Sequence, residues 1–212
     1  MLGHFKRALV LAPHTDDGEL GAGGTIARLV EAGCEVHYAA FSIAEESVPA
    51  HLPRDILDTE VRAATRCLGI SPEHLHVFRF KVRKFSYARQ ELLEELVRMR
   101  NAFHFDLVLM PNLHDIHQDH ETVAREGLRA FKNVTVLGYE LICNSLQFSS
   151  CAFVTFEEKH LAQKIEALKA YQSQGGRTYM SAEFVRSLAT ARGVQIGARY
   201  AEAFEVVRWV MR

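Results

Sequence analysis

The sequence predicts an α/β protein, a Rossmann-like three-layer sandwich with a mostly parallel sheet and additions at its C-terminal end. Three observations lead there. Short apolar runs such as Ala8-Leu9-Val10-Leu11-Ala12 and Leu107-Val108-Leu109-Met110 show no polar alternation, as strands buried on both faces require. Stretches of helical period alternate with these runs through the first two-thirds of the chain. Gly33, Gly69 and Pro111 stand where such elements would stop.

Taken in order, residues 6–12 read as a buried strand and residues 22–32 as a helix, with Ile26, Leu29 and Val30 on its apolar face and Gly33 closing it. Residues 35–42 are a second strand carrying Val36, Tyr38 and Phe41. The polar segment 44–53, with Pro49 and Pro53, is long enough for a lid or rim. A helix over 55–68, a strand over 74–80 and a helix over 86–103 follow, the last with Leu92, Leu93, Leu96, Val97 and Met99 turned inward. Residues 106–110 form a fourth strand ahead of Pro111. A helix over 121–131, strands over 134–139 and 152–156, helices over 157–171 and 181–192, and a strand over 204–210 complete the chain. No repeat, low-complexity tract or linker divides it, so residues 1–212 read as one domain.

Of the 212 residues, 48% are hydrophobic and 24% charged, an ordinary globular balance. With 25 basic against 26 acidic residues, the net charge of −1 gives no field to draw nucleic acid or an anionic membrane, and favours a neutral or weakly charged small-molecule substrate. No apolar run nears the roughly 18 residues of a membrane span or forms a signal-peptide core, so a cytoplasmic protein is expected. Cys34, Cys67, Cys143 and Cys151 lack Cys-x-x-Cys spacing and read as reduced, buried thiols; a Cys143–Cys151 disulfide has little support.

Two polar clusters break the apolar pattern. Pro13-His14-Thr15-Asp16-Asp17 follows the first strand, and a second cluster with His114, Asp115, His117, Asp119 and His120 follows the fourth. In strand order 3-2-1-4-5, strands one and four are neighbours, and ligands bind between their carboxyl ends. His14, Asp16 and Asp17 should therefore face His117, Asp119 and His120. Burying paired carboxylates is costly unless a cation compensates them. Two imidazoles and one carboxylate around an open position make a catalytic metal site, most often zinc, and His14, Asp17 and His120 can supply that shell. In an extended loop Asp16 points to a different side from Asp17 and can act as general base. A protonated His117 can then steady an oxyanion and protonate the leaving group, with Asp119 orienting or charging its imidazole. Taken alone, the Asp16–Asp17 pair would serve equally well as charge at a helix N-terminus. Joint placement at adjacent strand ends favours the site. The spacing of His114, His117 and His120 does not put all three on one helix face, and His114 is the first candidate spectator. The run from Gly18 to Gly24 fails the phosphate-loop pattern, since Gly24 stands where lysine belongs, and fails the dinucleotide pattern at Ile26. Close packing of the first helix is the better role for these glycines.

On these residues the chain resembles the PIG-L/LmbE-like family of zinc-dependent N-deacetylases, which carry Pro-His-Pro-Asp-Asp after the first strand and His-x-Asp-His after the fourth. Gly23-Gly24-Thr25, Tyr171-Gln172-Ser173-Gln174 and Tyr200-Ala201-Glu202-Ala203-Phe204 extend the likeness over nearly the whole chain. The resemblance implies one Zn2+ per chain on His14, Asp17 and His120, with Fe2+ or Co2+ able to replace it. It implies Asp16 as general base, His117 as oxyanion stabiliser or acid, and Asp119 tuning His117. The implied reaction removes the acetyl group from an N-acetylated amino sugar or its conjugate, in the making of polysaccharide precursors, and the implied assembly is a homo-oligomer. Thr15 departs from the family's proline; in an extended loop it would point away from the metal. Arg54 and Arg62 are the candidate substrate-binding residues. The competing readings are a different metal-dependent amide hydrolase and a non-catalytic sugar-nucleotide binding module.

Overall fold

A computed structural model describes residues 5–211. Its elements are β1 (Arg7–His14), α1 (Asp17–Glu31), β2 (Glu35–Ser42), α2 (Ile56–Cys67), β3 (Leu75–Val77), α3 (Arg89–Phe103), β4 (Leu107–Pro111), α4 (Gln118–Ala130), β5 (Thr135–Tyr139), β6 (Ala152–Thr155), α5 (Glu158–Lys169), α6 (Ala182–Val194) and β7 (Ala201–Arg208). The strands form one sheet in the order β3-β2-β1-β4-β5-β7-β6. The first five run parallel in the predicted order. β7 runs antiparallel to β5, and β6, antiparallel to β7, forms the outermost strand, so the C-terminal addition is an added edge.

The lack of alternation in β1 has a direct cause. Ala8, Val10 and Ala12 pack into the apolar layer under α1, α2, α5 and α6, while Leu9 and Leu11 pack into the opposite layer under α3 and α4. Both faces are dry, so both sets are apolar.

Several boundaries differ from expectation. The glycine-rich run lies inside α1, which starts at Asp17 rather than residue 22. Propensity disfavours helix there, but tertiary contact prevails. A Cβ on Gly18 would stand 2.5 Å from the Tyr38 ring, and one on Gly21 would collide with Tyr139, so only glycine lets the helix lie this close to the sheet. At Ala22 the helix breaks (φ −143°, ψ 15°). The freed N–H groups of Gly24 and Thr25 donate to the Glu202 carboxylate at 2.9 and 2.7 Å. Lys164 pairs with the same carboxylate at 2.7 Å and donates to the Leu20 carbonyl at 2.8 Å. The Tyr200–Phe204 motif is thus a cap for a broken helix, delivered from β7. β3 is shorter than 74–80, and β7 begins at 201 rather than 204. Cys34 is buried as expected, but Cys67, Cys143 and Cys151 are exposed, and all four are free thiols.

Replacing Glu202 with Ala strands the buried Lys164 ammonium and two helix N–H groups. Urea unfolding of Glu202→Ala should show a loss of about 3–5 kcal/mol; a loss under ~1 kcal/mol would contradict the capping role.

Candidate metal centre

β1 and β4 lie side by side, with Ala8, Leu9 and Val10 paired to Leu107, Val108 and Leu109. His14 ends β1, and Asp17 opens α1 just beyond it. His120 sits in the first turn of α4, after the loop that leaves β4. The two polar clusters therefore meet, as the topology required.

Three atoms converge. His14 Nδ1 lies 3.3 Å from Asp17 Oδ2 and 3.2 Å from His120 Nε2, and His120 Nε2 lies 3.3 Å from Asp17 Oδ2. Donors around a tetrahedral zinc, each about 2.0–2.1 Å from the ion, stand about 3.3 Å apart. The triangle has the size of one face of such a shell, and its donor set of two imidazoles and a carboxylate suits a divalent transition metal.

Both imidazoles are fixed from behind. His120 Nδ1 meets Asp115 Oδ2 at 2.8 Å, and His14 Nε2 meets Asp119 Oδ2 at 3.2 Å. Such carboxylate partners set the tautomer and aim the other nitrogen. Asp115 also accepts the His117 N–H at 2.9 Å, tying down the loop ahead of α4. In the sequence Asp115 shows only as a member of the histidine-rich loop, with no spacing that marks it as the partner of His120.

The Asp119 carboxylate raises His117 through space, as expected of a charging partner, but makes no hydrogen bond that would orient its ring. It accepts from the backbone N–H groups of Arg83 (2.5 Å) and Phe85 (3.3 Å) and faces His14. The cause is helical position: His117 is the N-cap of α4, while the Asp119 side chain turns back toward the 83–85 segment. What His117 receives from Asp119 is the backbone N–H, at 3.2 Å on Nδ1. That bond puts the ring proton of a neutral His117 on Nε2, making Nε2 a donor. The nitrogens of His14, His117 and His120 also lie within 4.8 Å of one another, but this tautomer leaves His117 poorly placed to ligate.

Charge is balanced inside the cluster. Burial opposes ionisation of Asp17, yet the His120 and His14 imidazoles hold its carboxyl well below the usual range. Burial would lower both histidines; instead Asp119 and Asp17 bring His14 to about 9, and Asp17 and Asp115 bring His120 to about 10. Asp16 is pushed up to about 6 by burial and by the charge of Asp17. His117 is lowered by burial and by the two neighbouring imidazoles. Thr15 and Asp16 form a turn that leads into α1, with Asp16 as its N-cap, rather than an extended loop, and Thr15 forms part of the cavity wall.

A buried clamp holds that segment. The Thr15 carbonyl accepts from Tyr38 (2.9 Å) and Tyr171 (2.6 Å), and both hydroxyls also reach Glu19. Burial raises Glu19 to about 8. Next to Tyr171, the Ser173 N–H and hydroxyl bind Glu60 at 2.9 and 2.6 Å, and Gln174 joins the cavity wall. The Tyr171–Gln174 motif is thereby accounted for.

The donors open into a cavity of about 310 Å³, whose walls include Asp16, His117, Asn144, Gln174, Arg83 and Arg177. Arg54 and Arg62 do not line it. Arg62 is paired with Asp58 one helical turn away at 2.8 Å, and Arg54 borders a separate surface depression with Glu45 and Glu46. Loop geometry, invisible in the sequence, puts Arg83 and Arg177 there instead. His114 is exposed and faces Glu205. A second histidine group, His37 with His74 and Glu35, lies toward the amino end of β2. There His37 bonds His76 at 3.0 Å and Glu35 at 2.9 Å, and Arg7 already supplies a cation to Glu35.

Residues 9–131 match the family model described as PIG-L: GlcNAc-PI de-N-acetylase. An uncharacterized deacetylase, YaiS of Escherichia coli (strain K12), is 26% identical over 79% of this chain and 91% of its own length. Diacetylchitobiose deacetylase of Thermococcus kodakarensis is 26% identical over 95% of this chain and 83% of its own. Among solved structures, N,N'-diacetylchitobiose deacetylase from Pyrococcus horikoshii superposes with a TM-score of 0.77 at 21% identity, covering 95% of this chain and 83% of that one. This last likeness concerns the fold.

Tyr171→Phe should remove one donor from Thr15 and lower stability by about 1 kcal/mol in thermal or urea unfolding. An unchanged midpoint would show that the clamp carries no load.

Proposed function

The chain belongs to the PIG-L family, and from that premise we propose that it is a zinc-dependent N-deacetylase acting on an N-acetylated amino sugar or its conjugate. One observation carries the proposal: the triangle of His14 Nδ1, Asp17 Oδ2 and His120 Nε2, with edges of 3.2–3.3 Å, in the wall of the cavity. These three residues would hold the ion, with Asp119 and Asp115 behind the imidazoles. A divalent cation bound there makes water nucleophilic near neutral pH and polarises an amide carbonyl.

The chain's own residues do the rest. Asp16 lines the cavity and takes the proton of the attacking water. As the water oxygen bonds to the amide carbon, negative charge moves to the carbonyl oxygen, where His117 Nε2–H donates a hydrogen bond. The C–N bond then breaks as the nitrogen accepts the proton held by Asp16, and the acetic acid formed gives up the second water proton, so that acetate and a protonated amine result. In this scheme His117 acts as a neutral donor rather than as a protonated acid. Asp119 orients His14 rather than His117. We assign the reaction to cytoplasmic polysaccharide-precursor synthesis.

Asp16→Asn should retain about one zinc per chain and lose roughly 10²–10⁴ of turnover, read as acetate released from N-acetyl sugars. His120→Ala should lose both metal and turnover, and Asp115→Asn should weaken zinc binding roughly 10–100-fold. Full turnover by metal-bound Asp16→Asn would refute its role as base.

A further inference from the structure

We propose that Arg83 and Arg177 together receive a phosphoryl group of the substrate, so that the sugar processed here is a sugar phosphate or a sugar nucleotide. This rests on reading the cavity as the deacetylation site. Both arginines stand in the cavity wall with the metal donors. Neither forms an ion pair among the described residues, whereas nearby Arg79 is paired with Glu45, Arg89 with Glu126 and Arg192 with Glu140.

Each guanidinium is held in place without a direct ion pair, the Asp16 carboxylate acting on Arg177 only through space. Arg83 Nη2 donates to Ser47 Oγ at 3.3 Å. Arg177 donates to the Tyr179 hydroxyl and lies 5.7 Å from the centre of that ring. Ser47 and Tyr179 are themselves wall residues. Arg83 also has a left-handed backbone (φ 63°), which is unfavourable for arginine and persists where surroundings enforce it. The enforcing contact is its N–H on Asp119 Oδ2, the oxygen that faces His14 Nε2. The position of Arg83 is thus registered to the metal-binding shell.

A carboxylate can take two guanidinium groups, as Glu126 does from Arg89 and Arg129, but it offers them only two oxygens in one plane. A phosphoryl group offers more oxygens in a tetrahedral array and can accept from two forks arriving from separate chain segments. The net charge of −1 favoured a neutral ligand, but two unpaired guanidinium groups in one concave wall set the local field.

The test uses the full zinc-loaded chain and four probes: N-acetylglucosamine, its 1-phosphate, uridine diphosphate N-acetylglucosamine and the carboxylate-bearing N-acetylmuramic acid. Equilibrium binding is measured with Asp16→Asn and acetate release with the parent chain. At least one phosphorylated probe should bind roughly tenfold or more tighter than the neutral sugar, with the gap narrowing as salt rises. Which one does so separates a sugar phosphate from a sugar nucleotide. Arg83→Met and Arg177→Met should each raise KM for the phosphorylated substrate far more than they lower kcat, with zinc content kept. Equal affinity for neutral and phosphorylated sugars, a preference for the muramic acid, or an unmoved KM in both variants would overturn the inference. Phosphosugar binding without acetate release from any probe would support this inference while sinking the deacetylase reading.

Discussion

The structure turns on a charge problem. Asp17, Asp115 and Asp119 are buried beside two imidazoles, in a region from which water is largely excluded. Ionised carboxylates persist there only if positive charge sits among them. The carboxylates raise both His14 and His120, and a divalent cation at the triangle where Nδ1, Oδ2 and Nε2 converge would meet that requirement directly. A cation held there would complete the site and offset the buried carboxylates at once.

Much of the remaining architecture keeps that triangle in shape. Asp17 can reach both imidazoles because α1 starts immediately after β1 and lies close against the sheet, which Gly18 and Gly21 permit. The helix breaks at Ala22, and Glu202 from β7 with Lys164 from α5 caps the break. Tyr38 and Tyr171 fix the Thr15 carbonyl one residue from Asp16. The C-terminal additions, remote in sequence, therefore support the segment that carries the site.

The parallel sheet and the meeting of the two clusters were legible because they depend on local signals. Apolar runs ending in His14 and Pro111, with ionisable groups just beyond, locate strand ends, and the common strand order makes those ends neighbours. Contacts decided by three-dimensional direction were not legible. Asp119 reads as a partner of His117 on spacing alone, but the start of α4 turns its carboxylate toward His14. Arg54 and Arg62 follow β2 and carry the right charge, yet Arg62 is engaged with Asp58, and Arg83 and Arg177 occupy the wall. The glycine-rich run reads as a helix breaker, and packing against Tyr38 and Tyr139 overrides that preference.

The most direct measurement is an anomalous-scattering map at the zinc edge from crystals of the zinc-loaded protein. One principal peak is expected about 2.0–2.2 Å from His14 Nδ1, His120 Nε2 and an Asp17 carboxylate oxygen. A vacant triangle, with the peak instead at the His37–His74 group or on a cysteine, would contradict the proposed metal site.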